Sequence, residues 1–141
     1  MANEANEIQL SVVPATQRSI ALDTDTVEMH SLLALSGANN VIVLAADQAA
    51  AAFGGIAATE KVASDGSTRI GAHMHGVWDL NCVGDAEITA GDMVELSGAN
   101  GIRLADASSG SISGGAIVGY AQEDVAAGTA QRVAVALIGG Y

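Results

Sequence analysis

His73 and His75 stand two residues apart, so on an extended strand both imidazoles emerge on one face. With Asp79 or Cys82 following closely, a zinc site can be drawn from imidazole nitrogens, a carboxylate and a thiolate. The same pair has a simpler reading. The alternate positions Ile70, Ala72 and Met74 make the opposite face the core side, which leaves the histidines exposed or at an interface. We adopt that reading and expect no metal. Near a symmetry axis such a pair would make assembly sensitive to pH. Carboxylates are numerous, at Asp23, Asp25 and Glu28 and again at Asp85, Glu87, Asp92 and Glu95. Two of them could serve a glycoside hydrolase as acid and base. The i, i+2 spacing of Asp23/Asp25 and of Asp85/Glu87 is, however, that of an outward strand face. Neither cluster has the fixed glycine and terminal glutamate of a calcium-binding loop. Cys82 has no cationic neighbour in the chain and is expected to be a buried, inert thiol. The pairs Gly54-Gly55, Gly114-Gly115 and Gly139-Gly140 form neither a dinucleotide fingerprint nor a phosphate loop. No nucleophile elbow is present. The expectation is a protein that is not an enzyme, has no catalytic residues and takes no cofactor.

The elements that carry these residues are organised by an internal repeat. Leu35-Ser36-Gly37-Ala38-Asn39-Asn40-Val41 returns as Leu96-Ser97-Gly98-Ala99-Asn100-Gly101-Ile102, an offset of 61 residues. Glu60-Lys61-Val62-Ala63 is answered by Glu123-Asp124-Val125-Ala126, and Gly76-Val77-Trp78 by Gly139-Gly140-Tyr141, both at an offset of 63. Two units therefore span about residues 27–78 and 88–141, with Trp78 and Tyr141 closing them as core or interface anchors. Two copies are too few for a solenoid and point to one pseudo-symmetric domain over 16–141. Seventeen glycines, one proline and short alternating runs read as β structure. Val133, Val135 and Leu137 share a face of one strand, and Ile70, Ala72 and Met74 share the matching face in the first unit. Val41 to Leu44 and Gly101 to Leu104 form a second matched pair, preceded by the turn signals Asn39-Asn40 and Asn100-Gly101. Asp47 to Phe53 reads as one short helix, with Asp47 as N-cap and Gly54 as its stop. The corresponding segment, Ser108 to Gly115, reads as a loop. The expected fold is all-β, a small barrel or sandwich of two pseudo-repeated halves with at most one short helix. Residues 1–15 form an extended N-terminal arm, expected to be disordered alone and to add a strand to a partner.

Half of the residues are apolar but only 3% are aromatic, so alanine supplies much of the core and each residue buries little area. Apolar surface left over by such a chain suits contacts with neighbours. The net charge of −11 excludes a nucleic-acid partner, which needs Lys and Arg on its phosphates, and disfavours an anionic membrane surface. No apolar run reaches the ~20 residues of a membrane span. The polar start, Met1 to Glu7, carries no expected secretory signal, and a single cysteine fits synthesis and assembly in a reducing cytoplasm.

Several segments in a fixed order resemble the capsid decoration, or cement, proteins of tailed bacteriophages. They are Gly76-Val77-Trp78-Asp79-Leu80, Ile88-Thr89-Ala90-Gly91-Asp92-Met93-Val94, Ile117-Val118-Gly119-Tyr120-Ala121-Gln122-Glu123 and Ala127-Gly128, followed by alternating Val133, Val135 and Leu137. The likeness covers about residues 55–138. It implies a structural virion protein of barrel or sandwich fold that coats the outside of a mature shell, commonly as homotrimers, with the major capsid protein as partner. On this reading Asn3, Glu4, Asn6, Glu7 and Gln9 of the arm contact the capsid by strand addition. His73, His75, Trp78 and Tyr141 are expected at intersubunit interfaces. The alternative is a surface or extracellular β-type module that binds a polymer or a host surface.

Overall fold

The computed structural model describes residues 4–9, 16–20, 26–36, 40–43, 51–84, 86–105, 116–128 and 131–137. Within them the chain is all-β. Its strands are β1 (Asn6–Gln9), β2 (Thr16–Ile20), β3 (Leu32–Ser36), β4 (Asn40–Ile42), β5 (Phe53–Ala57), β6 (Arg69–His73), β7 (Val77–Cys82), β8 (Met93–Leu96), β9 (Gly101–Leu104), β10 (Ile117–Ala121) and β11 (Gln131–Leu137).

The repeat seen in the sequence is a repeat of strand order. In the first ring β2 pairs β4 in parallel, β4 pairs β3, β3 pairs β5, β5 pairs β6, and β6 returns to β2. The second ring follows the same path through β7, β9, β8, β10 and β11 and back to β7. Even the registers agree. Ser19 faces Asn40 and Arg69 as Asn81 faces Gly101 and Arg132. Both rings carry a register shift at one place, between Leu33 and Ala34 opposite β5 and between Ile117 and Gly119 on β10. Glycine sits at both shifts for a steric reason. Gly55 has φ +109°, and a Cβ there would meet Met74 Sδ at 2.8 Å. A Cβ on Gly119 would strike the Ala136 carbonyl and come within 3.0 Å of Leu137 Cα.

Strand pairing corrects one correspondence drawn from residue identity. Lys61, rather than Val62, is the counterpart of Val125: Lys61 bridges Val27 as Val125 bridges Ile88. Trp78 opens the second ring at the place of Thr16, since Thr16 faces Ala72 and Trp78 faces Val135. Tyr141, its expected counterpart, lies outside the described residues.

The ring interiors match residue by residue. Val27, Leu33, Val41, Ala57, Ile70 and Ala72 fill the first ring. Their counterparts Ile88, Val94, Ile102, Ala121, Val133 and Val135 fill the second. Alanines contribute little there, so the larger side chains carry the stabilisation, about 1.5–3 kcal/mol each. The face expected for Ile70, Ala72 and Met74 is indeed buried, as are Val133 and Val135, with Leu137 packed against them. A second layer joins the rings: Leu32, Ala34, Phe53, Ile56 and Met74 leave the first ring and enter the core cluster of the second. The helix expected over 47–53 ends differently. Ala51 and Ala52 are irregular, Phe53 begins β5, and Gly54 lies inside that strand. Pairing with β3 and burial of Phe53 override the local alanine preference. The remainder of that helix and the loop over 108–115 lie outside the described residues.

Candidate functional site

Period-two alternation on β7 turns Trp78, Leu80 and Cys82 inward and leaves Val77, Asp79 and Asn81 half-exposed. Trp78 is completely buried within the chain, although an interface between chains was expected for it. It lies where the rings meet, and the first ring supplies its surroundings. The His30 ring stands edge-on to the indole with centroids 5.4 Å apart, and the His73 ring lies 5.2 Å away. The indole Nε1 donates to the His75 carbonyl at 2.9 Å. The rings of His30 and His73 and the backbone of His75 thus meet the one tryptophan of the chain. His73 and His75 are half-buried, and His73 Nδ1 has no hydrogen-bond partner among the described residues.

His30 was not anticipated from the sequence. It sits at φ 65° in the turn before β3, its N–H donating to Ala57 O at 2.8 Å. The second ring places Gly91, φ 98°, in the same turn with the same bond to Ala121 O. That glycine was the available signal that position 30 needs a left-handed residue.

The residues considered for zinc are held apart. The Asp79 carboxylate accepts from Arg132 Nε at 2.9 Å, and Cys82 is sealed inside the second ring. Among the described residues no three His, Cys, Asp or Glu side chains gather as metal ligands. The described carboxylates hold turns and pairs. Asp92 accepts from the Thr89 amide at 2.9 Å and Asp124 from the Ala90 amide at 2.8 Å, fixing the turn before β8. Glu95, fully buried, accepts from Arg103 Nε at 2.7 Å. Asp65 accepts from the Ser67 amide and from Lys61 Nζ, and these bonds hold its carboxyl below the usual value. Lys61 itself is completely buried. Glu28 is half-buried and Glu87 exposed, while Asp23, Asp25 and Asp85 lie outside the described residues.

The arm is placed differently from expectation. Asn6–Gln9 is not a free segment: it forms β1 on the chain's own β7, with Asn6 opposite Asp79 and Glu7 opposite Trp78. The reason is an edge left open. β9 pairs only with Asn81 and Cys82, so the backbone groups of Val77 to Asp79 need another strand. Ala5 is buried beside it, its N–H donating to His30 O at 3.0 Å, and Arg132 Nη2 donates to Glu4 O. β1 ends the strand order, so its outer edge has no partner strand among the described residues. Asn3 lies outside the described residues.

Binding surface is available elsewhere. Met29, Leu35, Val62, Val83 and Tyr120 are exposed apolar side chains. An open depression of about 360 Å³ lies between Val83 and the turn Ser97, Gly98 and Ala99. Among the described residues no helix is long and apolar enough to cross a membrane. No protein-family model matches the sequence, and no curated protein matches it.

Proposed function

We propose that the chain is a structural virion protein that binds the outer surface of a mature phage capsid and cements the coat lattice as trimers. The observation that carries this reading is where the segments resembling cement proteins fall. Val77, Trp78 and Leu80 lie on β7, Ile88 to Asp92 form the turn held by Asp92 and Asp124, and Val118 to Ala121 lie on β10. Trp78, Leu80, Val118 and Ala121 among them are buried and Ile88 to Asp92 form a turn of one ring, so the likeness includes residues that the ring needs in order to fold. Such a protein acts by binding energy alone. Affinity for the mature lattice over the precursor stabilises the former by mass action, and several contacts per trimer multiply it by avidity. The outer edge of β1 supports capsid contact by strand addition, now as an edge of the folded ring rather than a free arm.

Co-sedimentation with cognate shells stripped of this protein tests the proposal, with mature and unexpanded precursor shells run side by side. Saturable binding to mature shells alone is expected. Folded protein that binds neither form would overturn the reading and favour a free-standing binding module.

A further inference from the structure

We infer that Asn100 is a site of spontaneous deamidation gated by the junction between the two rings, so that opening of the junction is recorded as a permanent negative charge. The inference does not rest on the capsid reading.

The chain has six asparagines, Asn3, Asn6, Asn39, Asn40, Asn81 and Asn100, and only Asn100 is followed by glycine. Without a Cβ, glycine leaves its own amide nitrogen open to reach the preceding side chain, which makes Asn-Gly the asparagine pair that cyclises most readily. The fold demands both residues. Asn100 stands at φ 57° in the turn between β8 and β9, a left-handed position that asparagine tolerates. A Cβ on Gly101 would lie 2.3 Å from Ser97 O and 2.9 Å from Val83 Cγ2, so that place admits only glycine. The reactive pair is thus a consequence of the turn.

The reaction needs only water. Solvent base takes the Gly101 amide proton, the nitrogen bonds to Asn100 Cγ, and the Cγ–Nδ2 bond breaks to release ammonia, which carries the proton away. Water then opens the succinimide at either carbonyl to give aspartate or isoaspartate. One water enters, one ammonia leaves, and nothing is oxidised or reduced.

In the closed molecule these steps are obstructed. Asn100 is 2% exposed and Gly101 is buried, which keeps solvent base and water from both. Cyclisation also needs the side chain to turn toward the Gly101 nitrogen. Instead Oδ1 accepts from the Leu32 N–H at 2.9 Å, a bond from one ring to the other. Leu32 and Leu96, at the two sides of this contact, share one buried cluster. Opening of the junction removes the bond and the burial together, and a local opening of this kind takes less free energy than global unfolding. The products do not fit when the junction closes again. Both place a carboxylate where the native amide is buried. Isoaspartate also adds a methylene to the backbone path, in a turn closed by the Ser97 N–H donating to Gly101 O at 2.9 Å.

The test incubates the full chain at mildly alkaline pH, folded in buffer and unfolded in urea, and follows each asparagine by peptide mass spectrometry. The unfolded chain should lose the Asn100 amide before any other, at least about tenfold faster than the folded chain. Leu32→Ala trims the junction and should speed the loss under folding conditions, with circular dichroism confirming that it remains folded. Met74→Ala, in the same cluster, serves if it does not. Ile70→Ala, inside the first ring and outside that cluster, is the control and should speed the loss less for the same drop in melting temperature. Deamidated chain, separated by anion exchange, should melt below the wild type. Equal rates in folded and unfolded chain overturn the inference. So does faster loss at another asparagine in urea, a control that matches the junction variant, or a deamidated chain that melts with the wild type.

Discussion

Replacing Lys61 by methionine should leave the protein as stable as before, or stabilise it. The ammonium is completely buried, and Nζ donates to Asp65 Oδ1 and to Val62 O, each at 3.0 Å. Removing an ammonium from water costs several kcal/mol even after relaxation. Two hydrogen bonds from a charged donor return about 1.5–3 kcal/mol each. The two sides nearly cancel and Asp65 is exposed, so exchanging the ammonium for apolar contact leaves no buried charge behind and should cost little or stabilise the fold. The second ring supplies the precedent, because Val125 occupies this place in the same backbone bridge. Asp65→Asn alone should destabilise, since it leaves Lys61 buried without its counter-charge. Asparagine's single Oδ1 keeps only one of the two amide bonds, that from Ser67 to Oδ1 or that from Val62 to Oδ2. The substitution thus costs a bond in either background, but in the Lys61→Met background it should cost less because no buried ammonium loses its partner. Urea unfolding followed by the single tryptophan and by circular dichroism measures all four proteins. A loss above about 2 kcal/mol in Lys61→Met would refute the reasoning, because it would make the ammonium's hydrogen bonds outweigh its desolvation. Equal costs of Asp65→Asn in the two backgrounds would refute it as well.

Three further outcomes follow from the same structure. The Asp65 carboxyl is held below its usual 3.8, first by the Ser67 amide and then by Lys61, so its folded-state value lies below its unfolded one. Its stabilisation is therefore complete above that usual value and is lost as pH falls through the depressed one. Melting temperatures taken down through the carboxylate range should fall more steeply for wild type than for Asp65→Asn. Asn100→Gly keeps the positive φ of 57° available but leaves the buried Leu32 N–H without its acceptor. It should lower unfolding free energy by about 1–3 kcal/mol in a denaturant titration. Gly119→Ala forces a methyl group into the β11 backbone at Ala136 and Leu137, and a destabilisation of at least about 1–3 kcal/mol is expected in the same assay.

The strands and the repeat were legible because both are written in local pattern. Alternation at Ile70, Ala72 and Met74 and at Val133 and Val135 survives in the folded chain as burial. What misled was residue identity within a repeat whose spacing drifts. Val62 and Val125 are the same residue, yet backbone pairing aligns Val125 with Lys61. A buried lysine has no local signature, because nothing in Glu60-Lys61-Val62 announces that Asp65 will turn back to meet the ammonium. The arm failed for a non-local reason, since its partner edge exists only once β9 has stopped short along β7. The Trp78 cluster was half legible: His73 and His75 were seen, but their meeting with His30 depends on how the rings pack.

The two rings also show which positions a duplicated fold can change. Interior pairs keep their character: Val27 with Ile88, Leu33 with Val94, Val41 with Ile102, Ile70 with Val133. A closed ring fixes the volume to be filled, and cores tolerate exchanges that conserve it. Divergence concentrates outside the ring. Ala34 against Glu95, Ile56 against Tyr120 and His30 against Gly91 lie outside those interior pairs. Identical rings would present identical faces and ends. A chain of two has one junction inside, so some equivalent positions meet different surroundings: Ile56 is buried where Tyr120 is exposed, and Leu96 is buried where Leu35 is exposed. Trp78 fits the end that is permanently buried, where an aromatic ring adds large contact area. Tyr120 fits a position in contact with water, because its hydroxyl can remain solvated. The asymmetry between the copies is thus accounted for by position in the chain, with no need for the rings to fold differently.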